Sequence, residues 1–378
     1  MLRITERVNC CGCAACVQAC PKQCIRLAAD EEGFLYPTVD ETKCVKCGKC
    51  LKVCPMRQVS DSRVPVGVFA AVNPDENVRL RSSSGGVFSL LAEYVIGQGG
   101  VVFGAAFNKR LEVVHCHAET MDGVAAFRGS KYVQSQIGTS FQDAGNCLKI
   151  GRKVLFSGTP CQIAGLKSYL GKEYPGLLTV DFVCHGVPSP GIFKEYVEAR
   201  PTPVIAVNFR DKRSGWKNYS VTIETSAGER SEVFYNEEYM VGFLGNVFLR
   251  PSCYHCRFRT GRSCSDFTIG DFWGIDKLRP EMDDDKGLSL VIANNNEADS
   301  ILKTLECSLT EMLLDDAVKY NPSINSSVTI PPYRHLFFWT RKHLGLMTAL
   351  RILCGNTTPS RAIKKACRLL THNDATKL

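Results

Sequence analysis

The chain has 378 residues, of which 44% are hydrophobic and 22% are charged, and it carries 20 cysteines and a net charge of +8. This is enough apolar material for two or three packed domains, and the absence of a long like-charge block argues against disorder. Residues 331–378 hold nine Lys or Arg and one Asp, which accounts for the whole net charge. Nucleic-acid binding needs a basic stripe across the folded surface, so we expect no nucleic-acid partner.

The N-terminus shows no apolar segment followed by a small-residue cleavage site, and the longest apolar stretch (100–107) is too short to span a bilayer. We therefore expect a cytoplasmic protein. In such a reducing compartment, clustered cysteines are better explained by metal ligation than by disulfides.

The first sixty residues repeat one cysteine motif, C-x2-C-x2-C-x3-C-P, which begins at Cys10 and again at Cys44. The repeat is typical of a bacterial-type ferredoxin with two 4Fe–4S clusters, in which the last cysteine of each run binds the other cluster. A pair of zinc knuckles would not need this reciprocal arrangement. We therefore predict that cluster 1 is bound by Cys10, Cys13, Cys16 and Cys54, and cluster 2 by Cys44, Cys47, Cys50 and Cys20. Cys11 and Cys24 lie outside the motif and are predicted to be small buried residues.

Residues 61–150 follow a linker at 59–65 and have a mixed α/β pattern. We expect a strand at 66–72, a Ser-capped helix over 82–97, and two paired strands at 100–107 and 111–117.

Residues 151–330 continue as α/β. A strand at 153–158, a helix at 159–170 and a buried strand at 177–185 form a βαβ unit, which favours parallel pairing. A hairpin is expected from 218–225 and 229–235. The fold class is therefore mixed α/β: a small ferredoxin-like module (1–60), an α/β body (61–150 and 151–330) and a basic helical tail (331–378).

A second set of cysteines lies in the body. Cys161 is at a strand-to-helix turn, where a helix N-terminus favours the thiolate, and Cys184 ends the next strand. Cys253 and Cys256 form C-x2-C, and Cys264 follows. Three interpretations remain open from spacing alone: a third 4Fe–4S cluster on Cys161, Cys184, Cys253 and Cys256; a zinc site on Cys253 and Cys256 with His255 or His185; or a catalytic Cys161.

The tail also has two interpretations. Thr358-Pro359 is a typical helix start, and Ala362, Ile363, Ala366, Cys367 and Leu370 would share one face. Together with Leu336–Trp339, this segment is a candidate for contact with an anionic membrane surface. The alternative is that the apolar face packs on the body and the basic face is solvated.

The chain resembles the coenzyme F₄₂₀ hydrogenase/dehydrogenase beta-subunit family over nearly all residues to about 275. The residues that carry the resemblance are 82–94, 128–135, 156–166, 182–186, 208–216, the C-x2-C at 253–256, and 265–274. The resemblance implies an FAD-binding α/β domain, with 61–150 as its N-terminal flavin-binding region and 151–330 as the region of the third cluster. It also favours the third 4Fe–4S cluster, although the additional Cys264 leaves the fourth ligand open.

A flavin needs backbone N–H groups for its phosphates, and two glycine turns at helix starts could supply them. The alternative for these turns is a plain Ser cap with glycines for tight packing. No G-x-G-x-x-G follows a strand, so a standard dinucleotide fold is not supported. The candidate flavin-binding residues are Ser84, Gly85, Gly86, Lys131, Tyr132, Gly158, Thr159, Gln162 and Arg210. His185 is a candidate proton donor, and the resemblance places Asp271 and Trp273 near the site.

These features predict an iron–sulfur flavoprotein oxidoreductase. Electrons from a ferredoxin-like donor would pass through the 4Fe–4S clusters to FAD and on to an unidentified two-electron acceptor, a small or carrier-linked molecule. The resemblance offers polysaccharide biosynthesis as one setting, and oligomerisation is open. The alternatives are a non-catalytic, polyferredoxin-like subunit of a larger redox complex, and a protein in which the clusters are structural.

Overall fold

A computed structural model describes residues 2–355, 360–363, 365 and 367. The strands are β1 (Ile25–Ala29), β2 (Leu35–Val39), β3 (Gly67–Val72), β4 (Val101–Phe107), β5 (Val113–Ala118), β6 (Val154–Gly158), β7 (Leu177–Phe182), β8 (Val204–Asp211), β9 (Ser220–Thr225), β10 (Gly228–Val233), β11 (Phe267–Asp271), β12 (Ser289–Ala293) and β13 (Ser308–Glu311).

The α-helices of the described residues are α1 (Ala15–Gln18), α2 (Lys49–Lys52), α3 (Glu76–Leu80), α4 (Val87–Ile96), α5 (Met121–Val124), α6 (Ser140–Lys149), α7 (Pro160–Leu170), α8 (Pro190–Glu198), α9 (Glu238–Leu244), α10 (Ile275–Leu278), α11 (Asn296–Thr304), α12 (Leu314–Tyr320), α13 (Arg334–Leu344) and α14 (Leu346–Leu353). None of these helices is both long and apolar enough to cross a membrane.

The body is built on one eight-stranded sheet with the order β13-β3-β12-β11-β7-β6-β4-β5. β4, β6, β7 and β11 pair in parallel, while β5, β12 and β13 pair antiparallel to their neighbours. β3 is antiparallel to β12 and therefore runs in the same direction as β11. The carboxyl ends of β3, β11, β7, β6 and β4 consequently lie at one edge of the sheet, which is where open α/β sheets bind ligands.

Both faces of this sheet are covered, as parallel strands require. On one face, α4 and α11 pack on a core that includes Leu91, Leu155 and Leu302. On the other face, α6 and α7 pack on a core that includes Phe156 and Ile163. The second core also takes in the ferredoxin module, so the first cysteine loop is anchored to the face that carries α7.

A smaller sheet, β10-β9-β8, forms an aromatic core with α8, α9, α13 and α14. Phe209, Tyr239 and Phe337 are almost fully buried there. Complete burial of one such side chain contributes roughly 1.5–3 kcal/mol, so this core ties the C-terminal helices firmly to the body.

The ferredoxin module consists of the β1–β2 hairpin, α1 and α2. Its hairpin turn meets the start of α8, where Gly191 N donates to Gly33 O at 3.2 Å. A Cβ at Gly33 would lie 2.6 Å from Gly191 Cα, and Gly33 has a φ of +84°. Only glycine allows both this backbone conformation and this close approach.

The mixed α/β class is confirmed, as are the strands expected at 66–72, 100–107 and 153–158, the parallel βαβ unit and the hairpin near Gly228. The predicted Ser cap at 82–97 is wrong. α4 begins after Gly86, which has a φ of +88° and caps without a side chain. The hydroxyl of Ser84 instead donates to Leu288 O at 2.6 Å.

The helical prediction for the tail is confirmed for α13 and α14. Ile363 and Cys367 pack against the aromatic core, which agrees with the packed alternative at those two positions. Thr358, Pro359, Ala366 and Leu370 lie outside the described residues. Phe337 is buried, but Trp339 is 56% exposed, so Leu336–Trp339 presents only part of its apolar surface to solvent.

Candidate functional site: three groups of cysteines and the sheet edge

The structure brings together the two ligand sets predicted for the ferredoxin clusters. One cavity of about 390 Å³ is lined by Cys10, Cys13, Cys16 and Cys54, and another of about 380 Å³ by Cys44, Cys47, Cys50 and Cys20. In both, the cysteine before proline comes from the other half of the repeat. The sulfur-lined cavities fit two 4Fe–4S clusters, although the assignment of each ligand remains a prediction.

The two cavities differ in position. Cys13 is buried in the core shared with α7, and a Cβ at Gly165 of that helix would lie 3.0 Å from Cys13 Sγ. Cys47, by contrast, is exposed. The cluster 1 cavity is therefore the inner one, and the cluster 2 cavity is the outer one.

Cys11 and Cys24 are both buried, as predicted, and each contacts another thiol. Cys24 Sγ lies 3.3 Å from Cys20 Sγ beside the outer cavity. Cys11 lines the inner cavity and belongs to the apolar cluster against which Cys161 of the body packs, and the Cys11 thiol raises the pKa of Cys161. Cys11 thus joins the ferredoxin module to the second set of cysteines.

Four cysteines of the body come together at the carboxyl edge of the sheet. Cys161 follows β6, Cys184 follows β7, and Cys253 and Cys256 lie at a 3-10 turn (Pro251–His255). Burial, followed by the charges of Cys253, Cys161 and Cys256, raises the pKa of Cys184 well above its usual value. Burial likewise raises the pKa of Cys253 to about 12. Such thiols would be neutral without a metal, and binding iron would displace their protons.

Cys264 stands apart from this group. Its Sγ contacts Arg262 O at 3.9 Å, and it has a φ of +60°. Among the described residues, no three His, Cys, Asp or Glu side chains converge closely enough to hold a single metal ion. The zinc interpretation therefore gains no geometric support.

Two features of the structure act against the expected thiolate at Cys161. Cys161 does lie in the first turn of α7, after Pro160. However, the Cys11 thiol and burial together hold the pKa of Cys161 well above its ordinary value. A low dielectric outweighs the helix dipole here, which disfavours a free catalytic thiolate.

The candidate flavin residues lie in two groups at the same sheet edge. The first group surrounds the turn before α4, where Asn73 N donates to Gly85 O at 2.8 Å. Gly85 packs directly on the sheet, because a Cβ there would lie 2.4 Å from Ala71 O. The close packing of Gly85 agrees with the glycine part of the alternative, whereas Ser84 donates to Leu288 O and does not cap α4.

Arg210 lies over this turn and is 4% exposed. Its Nη2 donates to Ser83 O at 3.1 Å and to Asp271 Oδ1 at 2.9 Å. The guanidinium lies 4.0 Å from the ring centre of Tyr219 and 5.2 Å from that of Trp273. Asp271 and Trp273, which the resemblance placed near the site, are thus in contact with a predicted site residue.

Lys131 and Tyr132 border the same region. Lys131 Nζ donates to Ala126 O and Arg128 O at 2.8 and 2.9 Å, and burial lowers its pKa to about 7. Tyr132 stacks on Phe243 with ring centres 4.5 Å apart. A buried lysine that is readily neutralised can respond to an anion placed beside it.

The second group adjoins Cys161. Thr159 N donates to Gln162 Oε1 at 2.9 Å, and Gln162 Nε2 donates to Ser135 Oγ at 2.9 Å. Gln162 therefore starts α7 by a capping box.

Two histidines lie near this group. Gly158 lies beside His115, whose pKa is lowered by burial to about 4. His185 is partly buried, its Nε2 has no partner among the described residues, and burial lowers its pKa.

Two arginines at the cysteine sites were not predicted from the sequence. Arg250 is fully buried, and its Nε donates to Cys10 O at 2.8 Å, while Arg259 Nη1 donates to Cys184 O at 3.0 Å. Their only signal was proximity to C-x2-C, with Arg250 three residues before Cys253 and Arg259 three after Cys256.

Two family models match the sequence. Residues 9–57 match the 4Fe–4S dicluster domain, and residues 151–312 match the C terminus of the coenzyme F₄₂₀ hydrogenase/dehydrogenase beta subunit. Among solved structures, the chain is similar to one in a xenon-derivatised F₄₂₀-reducing NiFe hydrogenase complex from Methanosarcina barkeri. That likeness has 16% identity and a TM-score of 0.47, and it covers 71% of this chain and 97% of that chain. No curated protein matches.

Proposed function

The chain is an iron–sulfur electron-transfer protein that combines a 4Fe–4S dicluster domain with a region similar to the C terminus of the F₄₂₀ hydrogenase/dehydrogenase beta subunit, and we propose that it acts as an iron–sulfur flavoprotein oxidoreductase. Electrons enter at the outer cluster 2, pass to cluster 1 and reach a third cluster on Cys161, Cys184, Cys253 and Cys256. From there they reach FAD at the carboxyl edge of the sheet.

The packing of Cys161 against the apolar cluster that contains Cys11 carries this proposal, because Cys11 also lines the inner ferredoxin cavity. The first cysteine of the body set therefore lies beside the proposed cluster 1. An outer cavity with the exposed Cys47, an inner cavity with the buried Cys13 and a half-buried third set form a series from solvent to the sheet edge. Bound there, the clusters would carry single electrons, and a flavin would couple them to a two-electron acceptor.

The residues at the sheet edge suit an anionic, aromatic cofactor. Arg210 supplies a buried guanidinium that is paired with Asp271, and Trp273 offers an aromatic surface stacked on Trp216, with ring centres 4.8 Å apart. Lys212, whose pKa is lowered to about 7 by burial, donates to Ser84 O at 2.7 Å and adds a second cation. The acceptor would be a small or carrier-linked molecule, with polysaccharide biosynthesis as one setting.

The first test is cofactor analysis of the full chain purified without oxygen. We expect about twelve iron atoms and as many sulfides per chain, from three 4Fe–4S clusters, together with one released FAD. About eight iron atoms and no flavin would overturn the proposal.

A non-catalytic electron-transfer subunit is the second candidate. The observation that favours it is the engagement of Ser84 and Gly85, whose polar groups bond to the sheet rather than facing an open cleft. Purification with a tightly bound partner protein, with full iron content and no flavin, would support this alternative.

The donor would dock over the outer cavity. Lys22, Lys46 and Lys49 line its rim, are exposed, and form no ion pair with any described residue. Val45 beside them is 57% exposed. An acidic redox protein such as a ferredoxin fits this surface, because complementary charge accelerates association.

We expect Lys46→Glu to slow reduction of the chain by an acidic ferredoxin roughly tenfold at low salt. The difference should shrink as ionic strength rises, because salt screens exposed charges. Stopped-flow measurement of cluster bleaching gives the rate. Lys303→Glu, on α11 over the opposite face of the main sheet, is the matched control and should leave the rate unchanged. Equal rates for the two variants would place donor docking elsewhere.

A further inference from the structure

Five arginines are buried in the described part of the chain, and they fall into two classes. Three are paired with a carboxylate: Arg79 with Asp284, Arg210 with Asp271, and Arg334 with Glu32. The other two, Arg250 and Arg259, have no carboxylate within ion-pair distance among the described residues. Both of these contact a cysteine that the proposed function assigns to a cluster.

Arg250 is enclosed at the inner end of the ferredoxin module. Besides Cys10 O, its guanidinium donates to Gln134 Oε1 at 2.9 Å and to Leu35 O at 3.0 Å. Its Nη2 lies 3.6 Å from Cys10 Sγ, and its Cζ lies 4.2 Å from the ring centre of Tyr36. The cysteine loop is shaped around it, since a Cβ at Gly12 would lie 2.8 Å from Arg250 Nη1.

Arg259 occupies the corresponding place at the third set. Its Nη1 donates to Cys184 O at 3.0 Å and to Ser323 O. Its Nε is buried without a partner among the described residues. Its charge lowers the pKa of Cys184 and of Cys256, although burial outweighs it at both thiols.

A guanidinium keeps its proton in proteins, and burial of an uncompensated charge is costly. Neutral carbonyl and amide oxygens satisfy hydrogen bonds but do not supply the missing negative charge. The thiolate-ligated clusters would supply it, because reduction of a 4Fe–4S cluster adds a further negative charge. Hydrogen bonds and charge near the sulfurs are among the factors that set cluster potentials.

We infer that Arg250 and Arg259 are the counter-charges of cluster 1 and the third cluster, and that each raises the reduction potential of its own cluster above that of the solvent-exposed cluster 2. The step concerned is transfer of one electron from reduced cluster 2 to oxidised cluster 1, and then from cluster 1 to the third cluster, with no bond made or broken. Electrons then run inward, from the protein surface to the sheet edge. The inference rests on the cluster assignment of the proposed function.

The test is a redox titration followed by EPR on the anaerobic full-length protein. Arg250→Met should lower the potential of cluster 1 so that its ratio of reduced to oxidised forms at a fixed potential falls at least tenfold, or about 59 mV for one electron. Cluster 2 should keep its potential, and the third cluster should shift less than cluster 1, since Arg250 also lies beside Cys253, whose N donates to Arg250 O at 2.8 Å. Arg259→Met should do the same to the third cluster alone. Cys47→Ser, at the exposed ligand of cluster 2, identifies the signal of that cluster.

Arg341→Met is the matched control, because Arg341 is paired with Glu195 and should shift no cluster. If a methionine variant loses iron, the corresponding lysine variant replaces it, and its smaller shift in the same direction is the expected result. A shift below twofold in a fully loaded variant would overturn the inference. A wild-type chain without three clusters would instead overturn the proposed function, so the two failures are distinguishable.

Discussion

Replacement of Cys184 by serine is expected to lower the iron content from about twelve atoms per chain to about eight, while both ferredoxin clusters remain reducible. Cys184 is half-buried, and the charges of Cys253, Cys161 and Cys256 all act on its thiol. Loss of one ligand among the four thiols leaves an open coordination position. We therefore expect loss of the whole third cluster.

The same variant should also slow electron delivery to the FAD that we propose. Dithionite or a reduced ferredoxin would still bleach the dicluster domain, but reduction of the bound flavin through the clusters should slow by at least a hundredfold, about 2.7 kcal/mol in activation free energy. Iron analysis and stopped-flow spectroscopy at the flavin and cluster bands measure the two effects separately.

Cys264→Ser is the matched control for Cys184→Ser, and it addresses the open question of the fourth ligand. Cys264 Sγ contacts the nearby Arg262 carbonyl, and Cys264 precedes β11, at the opposite edge of the sheet from Cys161 and Cys184. We expect this variant to keep about twelve iron atoms. Loss of iron in Cys264→Ser, with retention in Cys184→Ser, would exchange the roles of the two residues.

Breaking the ion pair between Arg334 and Glu32 is expected to destabilise the chain by about 3 kcal/mol. Arg334 Nη1 and Nη2 donate to the two carboxylate oxygens of Glu32, each at 2.6 Å. The side chains are 8% and 16% exposed, so Arg334→Met would leave a carboxylate nearly buried and unpaired. Glu32 belongs to the ferredoxin hairpin and Arg334 to α13, so the loss acts on the junction between module and body.

Urea unfolding of the anaerobic holoprotein, followed at the cluster absorbance, measures this loss. The double variant Arg334→Met/Glu32→Gln should recover part of the stability, because no unpaired charge remains. Arg3→Met, which breaks the exposed pair with Glu41, is the surface control and should change the free energy of unfolding by less than about 1 kcal/mol. Equal effects for Arg3 and Arg334 would show that the junction is not stabilised by this pair.

Local patterns predicted the local parts of this structure. The ferredoxin repeat, the βαβ unit around α7 and the hairpin of β9 and β10 each depend on residues close together in the chain, where spacing and turn chemistry decide the outcome. The cap before α4 was mispredicted because the hydroxyl of Ser84 found a partner in Leu288, 204 residues away. Local sequence preference cannot predict a hydrogen-bond acceptor that only the tertiary fold brings close to the serine hydroxyl.

In the candidate site too, residues close together in the chain could be predicted, whereas residues brought together by the tertiary fold could not. The ferredoxin ligands were predicted from their spacing. The grouping of Cys161, Cys184 and the pair at 253–256 was one of three interpretations left open by spacing, and the family resemblance favoured it. Arg250 and Arg259 could not be predicted, because their importance lies in the absence of a carboxylate, which depends on every element packed around them. Likewise, nothing in the sequence of β3 indicates that it separates β12 from β13.

That interleaved strand order has a practical consequence for anyone who wishes to express the parts of this chain separately. A fragment beginning at residue 151 would lack β3, β4 and β5, so β6 and β12 would each lose a hydrogen-bonded neighbour and β13 would lose its only one. The unpaired backbone groups of exposed apolar edge strands form hydrogen bonds with other copies of the chain, so such a fragment should accumulate as insoluble aggregate. The region matched by the beta-subunit family model is therefore a unit of homology but not an independent unit of folding.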